Sequence, residues 1–317
     1  MARFSYEEFD LSDVKTYPLD ARRSKAHVAD FARSLGALQG VAAFVDALPD
    51  ILAAADFKAV VRALLEARRI ESGIVWGLGA HVIKVGLGPV LIELMQRGFV
   101  SALATNGAAV IHDVEIALIG ATSEDVDASL GPGHFGMADE TGRLLNDAIT
   151  AGVKDGLGIG QSVCRFLIAK RPPHAAASIF ATAARLDIPI TVHVAMGTDI
   201  IHMHPSASGA AIGEGSLRDF RYFVTNVARL ENGVYLNCGS AVVLPEVFLK
   251  AIALARNRGA AFANLTTVNL DFMRMYRPLT NVVARPTANS GKGYSLVGHH
   301  EIMIPLLAAA LIDHDRQ

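Results

Sequence analysis

Three groups of residues have types and spacings that suit chemistry. His193, Asp199, His202 and His204 fall within one short segment, and His112, Asp113 and Glu115 form a second group. Imidazole beside carboxylate suits proton transfer near neutral pH, and the same side chains ligate zinc or iron. His202-Met-His204 puts two imidazoles on one side of an extended chain. Loop histidines that only line a polar pocket give the same pattern, so no metal ligands are assigned. Lys292 in Ser290-Gly-Lys-Gly293 offers an amine for an imine step, or a phosphate or surface contact.

The third group is a repeated turn composition: Gly77-Leu-Gly-Ala-His81, Thr105-Asn-Gly107, His193-Val-Ala-Met-Gly-Thr-Asp199, Asn237-Cys-Gly-Ser240 and Asn269-Leu-Asp271. Each follows an apolar run. Glycine lets backbone approach a ligand, and helix N-termini offer N–H groups to phosphate. A G-x-G-x-x-G fingerprint is absent, because Gly77-x-Gly79 is followed by Val82 at the third glycine position. An ordinary NAD dehydrogenase is therefore not indicated. Trp76, Lys84 and Cys238 adjoin these turns. Core packing is the simpler role for Trp76 and Cys238, and solvation or phosphate contact for Lys84.

The elements that must position these turns alternate. Apolar spacing near 3.6 predicts helices over residues 28–35, 41–48, 57–67, 89–97, 114–119, 175–186, 217–230, 246–256 and 301–312. Pro89 suits a first helical turn, and Gly98 a C-terminal cap. Apolar runs predict strands over 73–79, 99–104, 188–194, 234–237 and 261–268. Alternation of this kind predicts an α/β fold: a doubly wound, mainly parallel sheet, Rossmann-like, with a helical N-terminal extension over 1–70 and no linker within 1–317. In such sheets ligands bind outside the carboxyl ends of the strands, so the five turns are expected to meet in one crevice.

Composition narrows the class. Of 317 residues, 51% are apolar and only 19% charged, which predicts a large core and surface covered by sister subunits. The net charge of -2 and the lack of a basic run argue against nucleic acid. The first twenty residues lack the apolar core of a signal peptide, and residues 302–312 are too few to span a bilayer. Two cysteines build no disulfide framework. A cytoplasmic location without membrane contact is expected.

The order of these segments resembles the deoxyhypusine synthase family from about Gly73 onward. Residues 73–98 resemble the family's first strand, polar loop and helix. Residues 104–113 (Ala-Thr-Asn-Gly-Ala-Ala-Val-Ile-His-Asp) resemble its Thr-Thr-Ala-Gly-Gly-Val-Glu-Glu-Asp loop, and 239–246 its Gly-Gly-Gly-Val-Val-Lys-His-His loop. Residues 263–269 resemble its strand ending in Asn-Thr-Ala-Gln, and 304–307 the start of its last helix. The resemblance implies an NAD-binding homotetramer with sites at subunit interfaces. It implies NAD contacts from Gly79, Thr105, Asn106, Gly107, Asp113, Gly239, Ser240, Thr267, Asn269 and Asp271. His193, Asp199 and His299 become candidates for acid–base work or substrate-amine contact, and Lys292 for a covalent role.

The departures alter the expected reaction. The family's imine lysine lies in a Trp-Gly-Lys segment, where residues 283–288 read Val-Ala-Arg-Pro-Thr-Ala. Leu244-Pro245 replace its Lys-His pair, His299 stands for an aspartate, and Ile111-His112-Asp113 replace three carboxylates. A polyamine pocket needs carboxylates and an amine nucleophile. The expectation is a transferase-like NAD enzyme for another amine-type substrate rather than deoxyhypusine synthesis proper. The alternatives are a metal-dependent hydrolase or lyase built on the histidine groups, and a nucleotide-binding relative without catalysis.

Overall fold

The computed structural model describes residues 6–36 and 38–316. Helices α1 (Gly40–Ala47) and α2 (Leu52–Arg69) precede β1 (Ile74–Leu78), and α3 (Ala80–Lys84) and α4 (Gly88–Gln96) lead to β2 (Ala102–Asn106). The crossover to β3 (Ile190–His193) holds α5 (Gly107–Ile119), α6 (Val126–Leu130), α7 (Asp139–Lys154), α8 (Ile159–Lys170) and α9 (Ile179–Arg185). Then α10 (Gly209–Val227) leads to β4 (Val234–Cys238) and α11 (Val243–Asn257) to β5 (Thr266–Asp271). Finally α12 (Tyr276–Pro278) and a π-helical turn, Leu279–Ala284, lead to β6 (Lys292–Val297), which α13 (His300–His314) follows.

The six strands form one parallel sheet in the order β3-β2-β1-β4-β5-β6. Winding runs outward from β1 through β2 to β3, then restarts at β4 on the other side. The reversal between β1 and β4 is the switch point of a doubly wound fold. Both faces of the sheet are covered, so its inner strands are near-continuous apolar runs and are buried along almost their whole length. Trp76 is fully buried and donates its Nε1–H to the Phe99 carbonyl at 3.0 Å, a core role. Cys238 is buried in the same core.

The outer edge of β3 is closed by α10. Asp219 accepts the Val192 N–H at 2.8 Å and the Gly160 N–H at 2.9 Å, while Ser216 Oγ accepts the Val194 N–H at 3.1 Å. Unpaired strand edges invite strand addition, and these side chains occupy the donors that would permit it.

Several helix or strand boundaries shift, and three of the changes have a visible cause. Residues 28–35 form only a 3-10 turn, Val28–Asp30. Val28, Phe31 and Leu35 are exposed, so their apolar stripe packs on nothing among the described residues, and a short unpacked helix does not hold. The helix over 175–186 breaks at Ser178, whose hydroxyl caps α9 by accepting the Ala181 N–H. The strand over 261–268 starts later, at Thr266, because Phe262 and Asn264 take left-handed backbone (φ 54° each) and make a turn. Pro89 and Gly98 behave as expected at the two ends of α4, Gly98 with φ 78°.

Candidate functional site

The five turns share the carboxyl rim. Register places Leu78 beside Thr105 and Cys238, Cys238 beside Leu270, and Asn106 beside His193. The rim divides into an inner half over β1, β4 and β5 and an outer half over β2 and β3.

In the inner half, the turns after β1 and β4 touch. A Cβ on Gly79 would fall on the Gly239 carbonyl, far inside van der Waals contact. Gly239 has φ 69°, and a Cβ there would lie 3.1 Å from the His300 ring. His300 is 1% exposed and forms the first residue of α13. Its Nε2 lies 3.1 Å from the Leu270 carbonyl, which only accepts, so Nε2 carries the proton. Nδ1 is then a bare acceptor, buried and without a partner. Burial holds the imidazole below the ordinary histidine range and keeps it neutral. His81 meets this ring edge-on at 5.6 Å, Phe272 edge-on at 6.3 Å, and Phe272 stacks on His299 at 5.9 Å.

Below that aromatic cap, Asn237 Nδ2 donates to Ser240 O at 2.9 Å and to Asn269 Oδ1 at 2.8 Å, leaving Asn237 Oδ1 without a partner. Ser240 Oγ accepts the Leu244 N–H at the start of α11. Asp271, at the end of β5, accepts the Met273 N–H. Thr267 lies deeper, near the start of β5 opposite Tyr235.

In the outer half, Asn106 caps α5 by accepting the Ala109 N–H at 3.1 Å. The Asp199 carboxylate lies against the first residue of α5, so close to Gly107 that a Cβ there would strike it. The anion position at the start of α5 is thus taken by the protein's own aspartate. Burial raises the Asp199 carboxyl above the usual range. His202 Nδ1 accepts the Gly197 and Asp199 N–H groups at 3.1 and 3.2 Å, so the neutral ring carries its proton on Nε2. That N–H is buried without a partner, and the nearest carboxylate oxygen, Asp199 Oδ2, is 3.8 Å away.

Two cavities open at this half. One, of about 210 Å³, is lined by Lys84, His112, Glu115, Glu124 and Asp199 among others. The other, of about 320 Å³, lies between α10 and α11 over His193, with Met196, Phe220, Val243 and Val247 in its walls. His193 Nε2 pairs with Thr191 Oγ1 at 3.1 Å, and its ring meets Phe223 at 5.1 Å. Burial pushes that imidazole down to about 3 and favours its neutral form. The single crevice expected from the sequence is therefore divided, with the His300 cap at the switch point and separate hollows beside it.

Several expected residues lie elsewhere. The Asp113 carboxylate faces α9, where it accepts the Ser178 hydroxyl and the Ile179 and Phe180 N–H groups. Those donors commit it to capping a buried helix rather than to a cofactor. Lys292 opens β6 opposite Thr266, at the amino end of the sheet. Five strand steps, about 16 Å, separate it from the carboxyl rim. It cannot form an imine with a substrate bound there. Thr105 is fully buried beneath the rim. His112 Nδ1 pairs with Thr122 Oγ1, and His204 Nδ1 with Ser206 Oγ. Among the described residues, no group of three or more His, Cys, Asp or Glu side chains is placed to hold a metal ion.

Comparisons with known proteins bear on the fold. No family model matches the chain, and no curated protein matches it significantly. Among solved structures it is similar to a LOR/SDH-like protein from Methanococcus maripaludis S2, with TM-score 0.53 and 18% identity over 84% of this chain and 71% of that one. It is similar to AgrE in a ternary complex with ornithine and NAD+ (TM-score 0.55, 17% identity, 82% of this chain and 33% of that one). It is also similar to ArgZ, an arginine dihydrolase of the ornithine–ammonia cycle in cyanobacteria (TM-score 0.51, 16% identity, 84% and 34%). The chain spans about a third of AgrE and of ArgZ. Identities this low establish a common fold. A deoxyhypusine synthase homologue from Entamoeba histolytica, at TM-score 0.47 and 12% identity, is too distant to bear on the function.

The turn motifs and histidine groups mark His81 only as the end of a turn, and Phe272 and His300 not at all. His299, the candidate that the family resemblance offers, is 66% exposed, stacks on Phe272 and lies 3.9 Å from the Glu301 carboxylate. The signal for its neighbour was present: His300, Ile304, Leu307 and Leu311 recur at the spacing of one helix face, and all four are buried.

Proposed function

We propose that the chain is an NAD-dependent enzyme acting on an amine-type substrate, with the dinucleotide at the β1–β4 switch point. The observation that carries this is the His300 imidazole. A buried, neutral, unpartnered Nδ1 sits over the β4 turn where the strand order reverses. Buried polar atoms are normally satisfied, so a bare acceptor there calls for an N–H or O–H donor from a guest. Gly239, Ser240, His81 and Phe272 adjoin it and would help hold the cofactor. The residues after β2 do not fit a phosphate, since Asp199 fills the start of α5.

Neighbours in fold support the choice of cofactor and substrate class: AgrE was solved with ornithine and NAD+, and ArgZ is an arginine dihydrolase. Bound NAD would accept a hydride from the carbon bearing the amine, which becomes an imine. The proton lost from the amine nitrogen needs an acceptor, and the Asp199 carboxylate, seated at the start of α5 and made more basic by burial, is the rim group placed to take it. A covalent lysine step is no part of this reading, given where Lys292 lies. Self-association is, because Tyr6, Phe9, Tyr17 and Val28 are exposed along the N-terminal arm; light scattering on the purified chain tests it.

Calorimetric titration with NAD tests the cofactor. We expect binding, and a loss of about tenfold in His300→Leu, which keeps the bulk and removes the acceptor. No heat on titration, together with no dinucleotide released on denaturing the purified protein, overturns the proposal.

A further inference from the structure

The smaller rim cavity carries charges of both signs that do not neutralise one another. Lys84, the last residue of α3, faces it from one side, and Glu115, Glu124 and Asp199 from the others. Among the described residues, Lys84, Glu115 and Glu124 take part in no ion pair, and the only one made by Asp199 is with His202 at 3.8 Å. Fixed hydrogen bonds keep the carboxylates in place. Glu115 accepts the Thr122 and Thr141 hydroxyls, and Glu124 accepts the Gly136 N–H at 2.8 Å. His112, between Lys84 and Glu115, is lowered by burial and adds a neutral ring. The buried His202 Nε2, without a hydrogen-bond partner among the described residues, lies 3.8 Å from the Asp199 carboxylate.

Opposite charges held apart around a hollow are met by a ligand that carries both signs itself. Three carboxylates against one ammonium favour a ligand of net positive charge. The volume, about 210 Å³, is below the range of about 300 Å³ upward that suits drug-sized molecules, and far too small for a dinucleotide. It equals the liquid volume of about seven waters, the scale of a small metabolite. Helix α3 links the two places, since His81 at its start belongs to the switch-point cap and Lys84 at its end to this cavity.

We infer that this cavity is a subsite for a basic amino acid, Lys84 taking the carboxylate and Glu124 and Asp199 the ammonium groups. The inference rests on the enzyme reading above only in naming that ligand as the substrate. An ammonium beside Asp199 would also relieve the cost of its burial.

The test is calorimetry on the full chain, with and without saturating NAD, using L-lysine, cadaverine (the same chain without the carboxylate) and caproate (the carboxylate alone). L-lysine is expected to bind at least about tenfold more tightly than either, the scale of one charge-assisted contact. Lys84→Met should remove the L-lysine preference over cadaverine without weakening cadaverine. Glu124→Gln should weaken both. Equal affinity for L-lysine and cadaverine, or a preference that survives Lys84→Met, overturns the inference. Lys84 is exposed, so its variant will fold. NAD binding without L-lysine preference sinks the subsite and leaves the enzyme reading. L-lysine preference without NAD binding does the reverse.

Discussion

The two halves of the carboxyl rim use glycine for opposite ends. At the inner half, Gly79 lets one backbone meet another: the turn after β1 lies against the Gly239 carbonyl. At the outer half, Gly107 lets a side chain meet backbone: the Asp199 carboxylate seats against the first residue of α5. Both glycines look alike in sequence, each following a strand and opening a helix. One contact is fixed by two main chains and has nothing to move. The other ends in a single removable side chain. A glycine at a strand end therefore does not by itself mark a ligand contact, and only the atom opposite it tells which kind it is.

Substitution separates the halves most sharply at Gly79. Gly79→Ala should destabilise the protein by more than about 3 kcal/mol, beyond the usual cost of overpacking, because neither backbone can give way. Urea unfolding measures it, and a near-native midpoint would show that the turns have room. Gly107→Ala should cost about 1–3 kcal/mol alone. In an Asp199→Ala background the same change should become neutral or stabilising, since alanine favours a helix by up to about 1 kcal/mol over glycine. A double-mutant cycle without that reversal would mean the carboxylate is not what the glycine accommodates.

A third contrast sets buried carboxylates that cap helices against those at the rim. Burial raises Asp113 to about 6 and Asp219 to about 7, from an ordinary value of 3.8. For each, the folded state holds its proton to higher pH than the unfolded chain does. Their contribution is complete below pH 4 and falls as pH rises through about 6 and 7. Asp219→Asn, which fixes the neutral form, should flatten the loss of stability between pH 4 and pH 8 in denaturant titrations. An unaltered slope would mean that Asp219 is ionised at little cost, held by the N–H groups of Gly160 and Val192. The smallest effect is expected at Lys292. Lys292→Ala should leave NAD affinity unchanged by calorimetry, and a clear loss would contradict its position at the amino end of the sheet.

Much of the architecture was legible because buried parallel strands are written as short apolar runs followed by glycine and small polar residues. β1, β2, β3 and β4 all carry that signature, and helix α4 announced both of its ends. The edge strand β6 was harder to see. Lys-Gly-Tyr-Ser-Leu-Val mixes exposure along its length, so Lys292 read as a loop residue near a site when it begins a strand far from one. At the site, types and spacing located the rim but not the direction of each side chain. Asp113 and Glu115 stand close together on α5, yet one turns inward to cap α9 and the other lines a cavity. That difference depends on α9, which lies more than sixty residues further along. His300 was the exception, readable from its own helix had the apolar stripe been followed back to its first residue.

The closed margin of β3 has a further consequence. Asp219 holds the Val192 N–H of that strand and Ser216 the Val194 N–H just past its end, so another chain extending the sheet there would have to displace both. Without that displacement, a sheet continuing from one copy into the next would have to be built at the far margin, on β6. Assembly by any other route must run through helices or the N-terminal arm, leaving each copy its own separate six-stranded layer.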